Sequence, residues 1–145
     1  MVLAQHQWQH DAMLATPLPS GPGIDGGDRV AELAHRSIMA SAAVPRFVAA
    51  VLASMSSVDP AVRAEHHSTT RAMSDLMRDA LGDELDTVNE YIALLGVTWL
   101  GAVSSWTLGN TTIEQADKLT QRTARLLYRS MLAEQRDSAN IAREA

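Results

Sequence analysis

Histidines are the side chains whose types and spacing come closest to a chemical site in this sequence. His6 and His10 lie four residues apart, the spacing at which two side chains on one helix face can ligate the same metal ion. No third ligand stands near them, so the pair is more typical of a solvated surface. His66 and His67 are adjacent and would point about 100° apart on a helix, which disfavours a shared ion. The sequence therefore predicts no metal site.

No arrangement typical of an enzyme can be read from the chain. Serine, histidine and aspartate occur as scattered residues, without a nucleophile elbow and without paired carboxylates. The glycine-rich run GPGIDGG at residues 21–27 follows no predicted strand and lacks the Lys-Ser/Thr of a phosphate-binding loop. We therefore expect a protein that is not an enzyme and that needs no cofactor.

The charge balance disfavours nucleic acid as a partner. The net charge is −5, and Lys118 is the only lysine among the 12 basic residues. Lys118, Arg122, Arg125 and Arg129 share one face of the last predicted helix, which is the pattern of a possible phosphate contact. Glu114 precedes Lys118 by four residues, and no aromatic residue is interleaved for base stacking. We expect a solvated face and no direct binding of nucleic acid by this chain.

Length and composition indicate one domain with an ordinary core. The chain has 145 residues and an apolar content of 46%, which suffice for a hydrophobic interior. It has no cysteine, which excludes disulfides and thiolate metal sites and fits a cytoplasmic location. No uninterrupted apolar run approaches the roughly 20 residues of a membrane span, so we expect no membrane association.

The elements that would position any site are helices, since apolar residues repeat at helical spacing and strand-like alternation is absent. We predict an all-α fold. Asp28 is the predicted N-cap of the first helix of the main domain, and Thr111 with Glu114 forms a predicted capping box before the last helix. Gly82 and Gly109 are predicted helix stops. The predicted segments are a short helix at 1–15, a Pro/Gly-rich linker at 16–27, a helical domain at 28–134 and a frayed tail at 135–145.

The helix predicted over residues 84–108 is apolar on more than one face, so it must be covered on most sides. Other helices of the chain can cover one side. Either another copy of the chain covers the second side, or the helix lies at the centre of a monomer core. Composition does not separate these two interpretations. Two antiparallel helices from each of two copies would form a four-helix bundle. The candidate dimer-interface residues are Leu94, Thr98, Gly101, Ser105, Ala116, Leu119, Thr120, Thr123 and Leu127.

Several predicted helices carry methionines on faces that would surround one interior. Methionine is flexible and polarizable, so a group of methionines can line an adaptable apolar pocket. For any single methionine, ordinary filling of the core is the more common role. The candidate ligand-binding residues are Met39, Phe47, Val51, Met55, His66, Met73, Met77, Trp99 and Val103.

From Asp28 to about Tyr128 the chain resembles the C-terminal regulatory domain of tetracycline-repressor-type (TetR) transcription regulators. The resemblance lies in GGDRVAELAHRSI, VPRFVAAVLASMSSVDPAV and MSDLMRDALGDELD. It is clearest in YIALLGVTWLGAVSSWTLGNTTIEQADKLTQRTARLLY, which is similar to the paired dimerisation helices of that family. Residues 2–15 are similar to the back half of the helix that links the two domains of such regulators.

The resemblance implies a helical bundle that binds a small apolar effector within residues 28–108 and forms a homodimer through residues 84–130, with its two long C-terminal helices in a four-helix seam. The family places a helix-turn-helix domain before the linking helix, whereas this sequence starts inside that helix. We therefore expect a regulatory domain without its own DNA-binding domain, able to form a heterodimer with a full-length regulator. The alternative is a helical homodimerisation module without a ligand.

Overall fold

The computed structural model describes residue 11 and residues 13–144, and its regular structure there is entirely helical. The predicted all-α class is confirmed. The predicted helix over residues 1–15 lies mostly outside the described residues. The helices are α1 (Gly26–Ala43), α2 (Pro45–Ser54), α3 (Pro60–Leu81), α4 (Val88–Thr107) and α5 (Ile113–Glu144).

The N-cap of the first helix lies three residues earlier than predicted. Asp25 is the N-cap of α1, and its carboxylate accepts the backbone N–H of Asp28 at 2.9 Å. The carboxylate of Asp28 in turn accepts the N–H of Asp25 at 3.4 Å, which closes a capping box. The prediction that Asp28 is the cap was wrong because Asp28 is the other half of that box. As a result, Gly26 and Gly27 lie inside α1 and not in the linker.

The last helix shows a similar shift of one residue. Thr112 and Gln115 form the reciprocal pair, in which the Gln115 N–H donates to Thr112 Oγ1 at 3.2 Å and the Thr112 N–H donates to Gln115 Oε1 at 2.9 Å. The predicted box of Thr111 and Glu114 was therefore wrong by one position. The helix then continues to Glu144, through the segment predicted to fray. Residues 135–144 contain neither glycine nor proline, so nothing in that segment interrupts the helix.

The predicted stops between the helices lie where glycine is required. Gly82 follows α3 with φ 63°, and Gly109 follows the C-cap of α4 with φ 76°, a region that favours glycine. The turn after Gly82 is longer than predicted, so α4 starts at Val88 and not near residue 84. Leu85, in that turn, is 4% exposed and anchors the turn in the core.

Two apolar clusters hold the helices together. The first, called the main core here, joins α1, α3, α4 and α5, and the second, called the α2 cluster, joins α1, α2 and α4. The main core consists of Met13, Val30, Ala31, Leu33, Met77, Ala80, Leu81, Leu85, Tyr91, Leu95, Ala124 and Tyr128. The α2 cluster consists of buried Ile38, Val48 and Val103, with Val44, Leu52, Trp99, Trp106 and Ile113 packed against them and partly buried.

A bend of 104° separates α1 from α2. Among the described residues, no single helix has both the length and the apolarity to cross a membrane. Only α1 and α2 taken together satisfy that test of length and composition, and they do so across this bend. Ten of the eighteen residues of α1 are buried, which is what a core helix shows.

The start of α1 is pressed against Tyr128 of α5. A Cβ atom at Gly27 would lie 2.8 Å from Tyr128 Cβ, and one at Gly26 would lie 2.9 Å from Tyr128 Cε2. The Tyr128 ring also packs edge-on against the Tyr91 ring, with 6.4 Å between their centroids. The buried hydroxyl of Tyr91 donates to the carbonyl oxygen of Ala124 at 2.9 Å. This contact requires glycine because any larger residue would displace α1 from α5.

Arginines of α5 reinforce this contact with ion pairs to the capping box. Arg125 Nε lies 2.9 Å from Asp28 Oδ1, and Arg129 Nε lies 3.2 Å from Asp25 Oδ2. Half of the basic face that was expected to be solvated therefore binds the N-terminus of α1. Burial acts to raise the pKa of Asp28, but the hydrogen bond from Arg125 and the neighbouring charges outweigh it, so the pKa lies below its ordinary value of 3.8.

Glu84 forms a second polar contact on the same side of the bundle. It accepts a hydrogen bond from the Tyr128 hydroxyl and pairs with Arg29, whose Nη2 lies 2.8 Å from Glu84 Oε1. The bond from Tyr128 and the bond from Arg29 lower the pKa of Glu84 below its ordinary value of 4.5. Burial and the bond to Glu84 raise the pKa of Tyr128 to about 12, so its hydroxyl stays protonated as a donor at neutral pH.

We predict that Gly27→Ala lowers the free energy of unfolding by about 1–3 kcal/mol, because the added methyl group meets Tyr128 close to its backbone. The matched control is Gly96→Ala in α4, where an added Cβ meets nothing within 4 Å. That change should stabilise the protein by roughly 0.5–1 kcal/mol. Urea unfolding of both variants measures the difference. Equal effects of the two substitutions would contradict the tight contact.

We predict that acid weakens the fold through Asp28 and Glu84. Both carboxyls hold a proton less tightly when folded, so unfolding takes up protons and stability falls as the pH falls. The loss begins near the ordinary values of 4.5 and 3.8 and continues down to the lower pKa values of the folded state. Urea unfolding at pH 7, 5, 4 and 3 measures this loss. The double variant Asp28→Asn, Glu84→Gln should depend less on pH than Asp75→Asn, and an unchanged dependence would refute the assignment.

Candidate functional site

The predicted ligand-binding residues do not converge on one place. Met77 is buried in the main core and Met73 packs against it, whereas Val103 and Trp99 belong to the α2 cluster. The sequence pattern could show that each residue lies on an apolar face, but not which other helix covers that face. The predicted single pocket therefore separates into two groups.

Four other predicted pocket residues lie at the surface or near it. Met39 and Met55 are each 48% exposed. Met39 follows the fully buried Ile38, and one helical step of about 100° turns its side chain out of the cluster. Phe47 and Val51 of α2 are partly buried. Met39 and Met55 were expected in the interior, but the structure places both at the surface.

His66 has a structural role that the sequence did not indicate. Its Nε2 lies 3.0 Å from Ser54 Oγ, which joins α3 to the last residue of α2. Ser54 Oγ also donates its proton to the carbonyl oxygen of Val51 at 2.8 Å. Because the hydroxyl has one proton to give, the bond to His66 requires a proton on Nε2 of the histidine. His66 therefore holds α2 in place.

The helix α2 is the most weakly held element around its cluster. Within α2, all of which the structure describes, Val48 is the only buried residue. Val44 stands at its N-cap and offers no side-chain hydrogen bond, so it caps the first turn only through its carbonyl oxygen, which accepts the N–H of Phe47 at 3.0 Å and that of Val48 at 3.1 Å. A ten-residue helix is marginal without tertiary packing, so the stability of α2 depends on Val48 and on the bond to His66.

One polar atom without a hydrogen-bond partner, Trp99 Nε1, belongs to a residue that packs against the α2 cluster. Within residues 13–144, Trp99 Nε1, Thr111 Oγ1 and Asp117 Oδ1 are buried and have no hydrogen-bond partner. Trp99 and Ile113 both pack against the cluster, and Ile113 lies between Thr111 and Asp117 in sequence. A buried polar group that lacks a partner costs about 1–3 kcal/mol. An unpartnered donor beside an apolar cluster, such as Trp99 Nε1, is a feature that a bound molecule would explain.

A polar group of three residues joins α1 to α5. His35 Nδ1 lies 2.9 Å from Asp117 Oδ2, and Gln121 Nε2 donates to the same oxygen at 3.0 Å. The side chain of His35 is 39% exposed and that of Asp117 is 14% exposed. Sequence reasoning missed this group because His35 and Asp117 stand 82 residues apart. Among the described residues, no set of three or more His, Cys, Asp or Glu side chains could hold a metal ion.

The candidate dimer-interface residues also divide into two sets. Ala116 is 2% exposed and Thr120 is fully buried, and the Thr120 hydroxyl donates to the Ala116 carbonyl at 2.9 Å. Both are covered within one copy of the chain, so their assignment to an interface with another copy was wrong. The cause is that α5 packs its small residues against its own α1. The remaining candidates are exposed or partly exposed: Leu94, Thr98, Gly101, Ser105, Leu119, Thr123 and Leu127.

The exposed candidates belong to two apolar rows, to which the structure adds residues. Leu94, Val97, Gly101 and Leu108 recur at helical spacing and form what we call the α4 stripe. Val97 is 73% exposed and Leu108 is 75% exposed. Leu119 and Leu126, seven residues apart, form the α5 stripe and are 54% and 57% exposed. The sequence missed Val97 because both faces of this helix are apolar.

We predict that the amide protons of α2 exchange at least about tenfold faster than those of α1, since α2 has little buried surface to hold it. His66→Ala should speed the exchange of α2 about three- to tenfold further, because one hydrogen bond to Ser54 is lost. His67→Ala, at the exposed neighbouring position, is the control. Hydrogen exchange followed by mass spectrometry measures both effects. Identical exchange of α2 in the two variants would contradict the role given to His66.

A comparison with known proteins found no matching family model, no matching curated protein and no matching solved structure. The chain's own residues therefore carry the evidence on function. Two features stand out: the α2 cluster with the unpartnered indole nitrogen of Trp99, and the exposed apolar stripes of α4 and α5.

Proposed function

We propose that this chain is an effector-sensing, dimerising helical domain of the TetR-regulator type. The observation that carries the proposal is the α4 stripe, an exposed apolar row on a helix whose opposite side packs into the core. Exposed apolar patches of this kind are typical of interaction sites. The all-helical architecture is compatible with such a domain, and the resemblance of residues 91–128 to paired dimerisation helices supplies the choice of family.

The α4 stripe has the form of a helix–helix contact surface. Its apolar residues stand on one side of α4, while Tyr91 and Leu95 on the other side are fully buried. Gly96 and Gly101 are exposed, and nothing lies within 4 Å of the Cβ position of either residue. A neighbouring helix can therefore approach the α4 backbone closely at Gly101. A second copy of α4, together with the adjacent α5 stripe, would complete a four-helix bundle.

Sensing and dimerisation would be coupled through α4 itself. Trp99 and Val103 of this helix belong to the α2 cluster, while Val97 and Gly101, which alternate with them in sequence, are exposed. A molecule that binds at the α2 cluster and favours one position of α4 would favour one arrangement of the dimer. The proposed binding site and the proposed dimer interface would then lie on two sides of the same helix.

We predict that Val97→Asp abolishes dimers of the full chain. A carboxylate without a partner in an apolar seam costs several kcal/mol, which raises the dissociation constant more than about a hundredfold. The matched control is Val58→Asp, since Val58 is 87% exposed and lies in the turn before α3. It should leave the dimer intact.

Light scattering coupled to size exclusion, at about 10 µM chain, measures the mass of each variant. We expect the wild type and Val58→Asp at twice the chain mass of 15.7 kDa, and Val97→Asp at the single mass. A wild-type protein at the single mass would overturn the proposal. So would a Val97→Asp variant that remains dimeric.

One observation favours a second candidate, a homodimerisation module that binds no ligand. The nine predicted pocket residues do not surround a common interior, and Met73 and Met77 serve as ordinary core residues. In that case the α2 cluster is a small satellite core and nothing more. The two candidates share the dimer and differ in whether the α2 cluster binds a molecule.

A further inference from the structure

We propose that the α2 cluster binds a small apolar molecule that carries a hydrogen-bond acceptor such as a ketone oxygen, and that Trp99 donates its indole N–H to that acceptor. The inference rests on the proposed effector-sensing function and specifies the chemistry of its ligand. It follows from one buried donor, the apolar residues around it and the weak attachment of the helix beside it.

The indole N–H of Trp99 is the buried polar group that most clearly lacks a hydrogen-bond partner. It is a donor with one hydrogen, its nitrogen is buried, and no described residue accepts the hydrogen. The buried indole of a tryptophan ordinarily finds a partner. A ligand that brings an acceptor to this nitrogen gains a hydrogen bond and removes the cost of the unpartnered donor.

The residues around Trp99 determine the rest of the ligand. Ile38, Val48 and Val103 form the buried centre of the cluster, and Leu52 and Trp106 are packed against it and partly buried. These side chains are aliphatic or aromatic, so they favour an apolar ligand body. Trp106, like Leu52, remains partly accessible and can gain buried area when a ligand binds.

The other two unpartnered atoms fit a ligand less well. Asp117 already accepts two hydrogen bonds through its Oδ2, from Gln121 and in the contact with His35, so its carboxylate is partly compensated. Thr111 carries a hydroxyl that can both donate and accept, so it selects no ligand type. Of the three, Trp99 Nε1 is the one that can only donate, so it requires an acceptor.

Access to the cluster runs through α2. This helix contributes Val48 and Leu52 to the cluster, and it is held at its end by the bond between Ser54 and His66. An outward displacement of α2 breaks the bond between Ser54 and His66, and it uncovers Val48 together with its buried neighbours Ile38 and Val103. Of the three helices that meet at the cluster, α2 has the fewest buried residues, so it is the one that moves at the lowest cost.

The test uses two probe pairs of matched shape, 1-indanone with indane and cyclohexanone with cyclohexane, added to the full chain. Each pair differs by one carbonyl oxygen. We expect each ketone to bind about tenfold more tightly than its hydrocarbon, as one hydrogen bond to a buried donor predicts. In ¹H–¹⁵N spectra the ketone should move the Trp99 indole resonance downfield, whereas the hydrocarbon should not.

Two variants test whether the Trp99 N–H causes the preference for the ketone. Trp99→Phe keeps an aromatic ring and removes the donor, so the ketone and the hydrocarbon should then bind within about twofold of each other. Trp106→Phe makes the same change elsewhere in the cluster and should keep the tenfold preference. Thermal unfolding of each variant confirms that it folds, and the indole shift in the wild type supports the assignment independently of both.

The outcomes separate this inference from the function on which it rests. Ketone and hydrocarbon of equal affinity, both shifting resonances of the cluster, would overturn the role of Trp99 and leave effector sensing standing. If Trp99→Phe still prefers the ketone, the role of Trp99 is likewise overturned, and effector sensing still stands. If neither pair binds while the protein is dimeric, both this inference and effector sensing fail, and the ligand-free module remains.

Discussion

The contact between the glycines that open α1 and the ring of Tyr128 sets the position of the other helices. Gly26 and Gly27 allow α1 to lie against α5 at a distance that no side chain would permit. The same ring meets Tyr91 of α4, so one tyrosine relates three helices. Because α1 carries the main core along its length and Ile38 of the α2 cluster near its end, a displacement at Tyr128 would reach both clusters.

The ion pairs around this contact matter more for the register of α1 than for the total stability. Arg125 and Arg129 lie one helical turn apart and bind the two halves of the capping box, Asp28 and Asp25. Partly exposed ion pairs contribute little free energy individually. Here they fix which turn of α1 faces Tyr128, and they explain why a carboxylate-rich N-terminus suits this position. Packing supplies the stability, and the charges select one alignment.

Features that depend on neighbouring residues could be predicted from the sequence, whereas contacts between residues far apart in the chain could not. Proline at the start of α3 and glycine after α3 and α4 marked the boundaries correctly, and the capping boxes were misplaced by no more than three residues. The ion pair of Arg125 with Asp28 spans 97 residues, and no local pattern indicates it. Likewise, Ala116 and Leu119 both lie on apolar parts of α5, but only the fold shows that α1 covers the first and leaves the second exposed.

The two apolar faces of α4 explain why sequence patterns could not separate the proposed binding site from the proposed dimer interface. A helix with one apolar face has one partner, and its periodicity identifies that face. In α4 the inward side contains Trp99 and Val103 and the outward side contains Val97 and Gly101, so apolar residues surround the helix. Such a helix has little freedom to rotate, because rotation would withdraw apolar side chains from both clusters. Under the proposed function, a molecule bound at the α2 cluster would therefore act on α4 by shifting it as a rigid body, and its outward stripe would move with it.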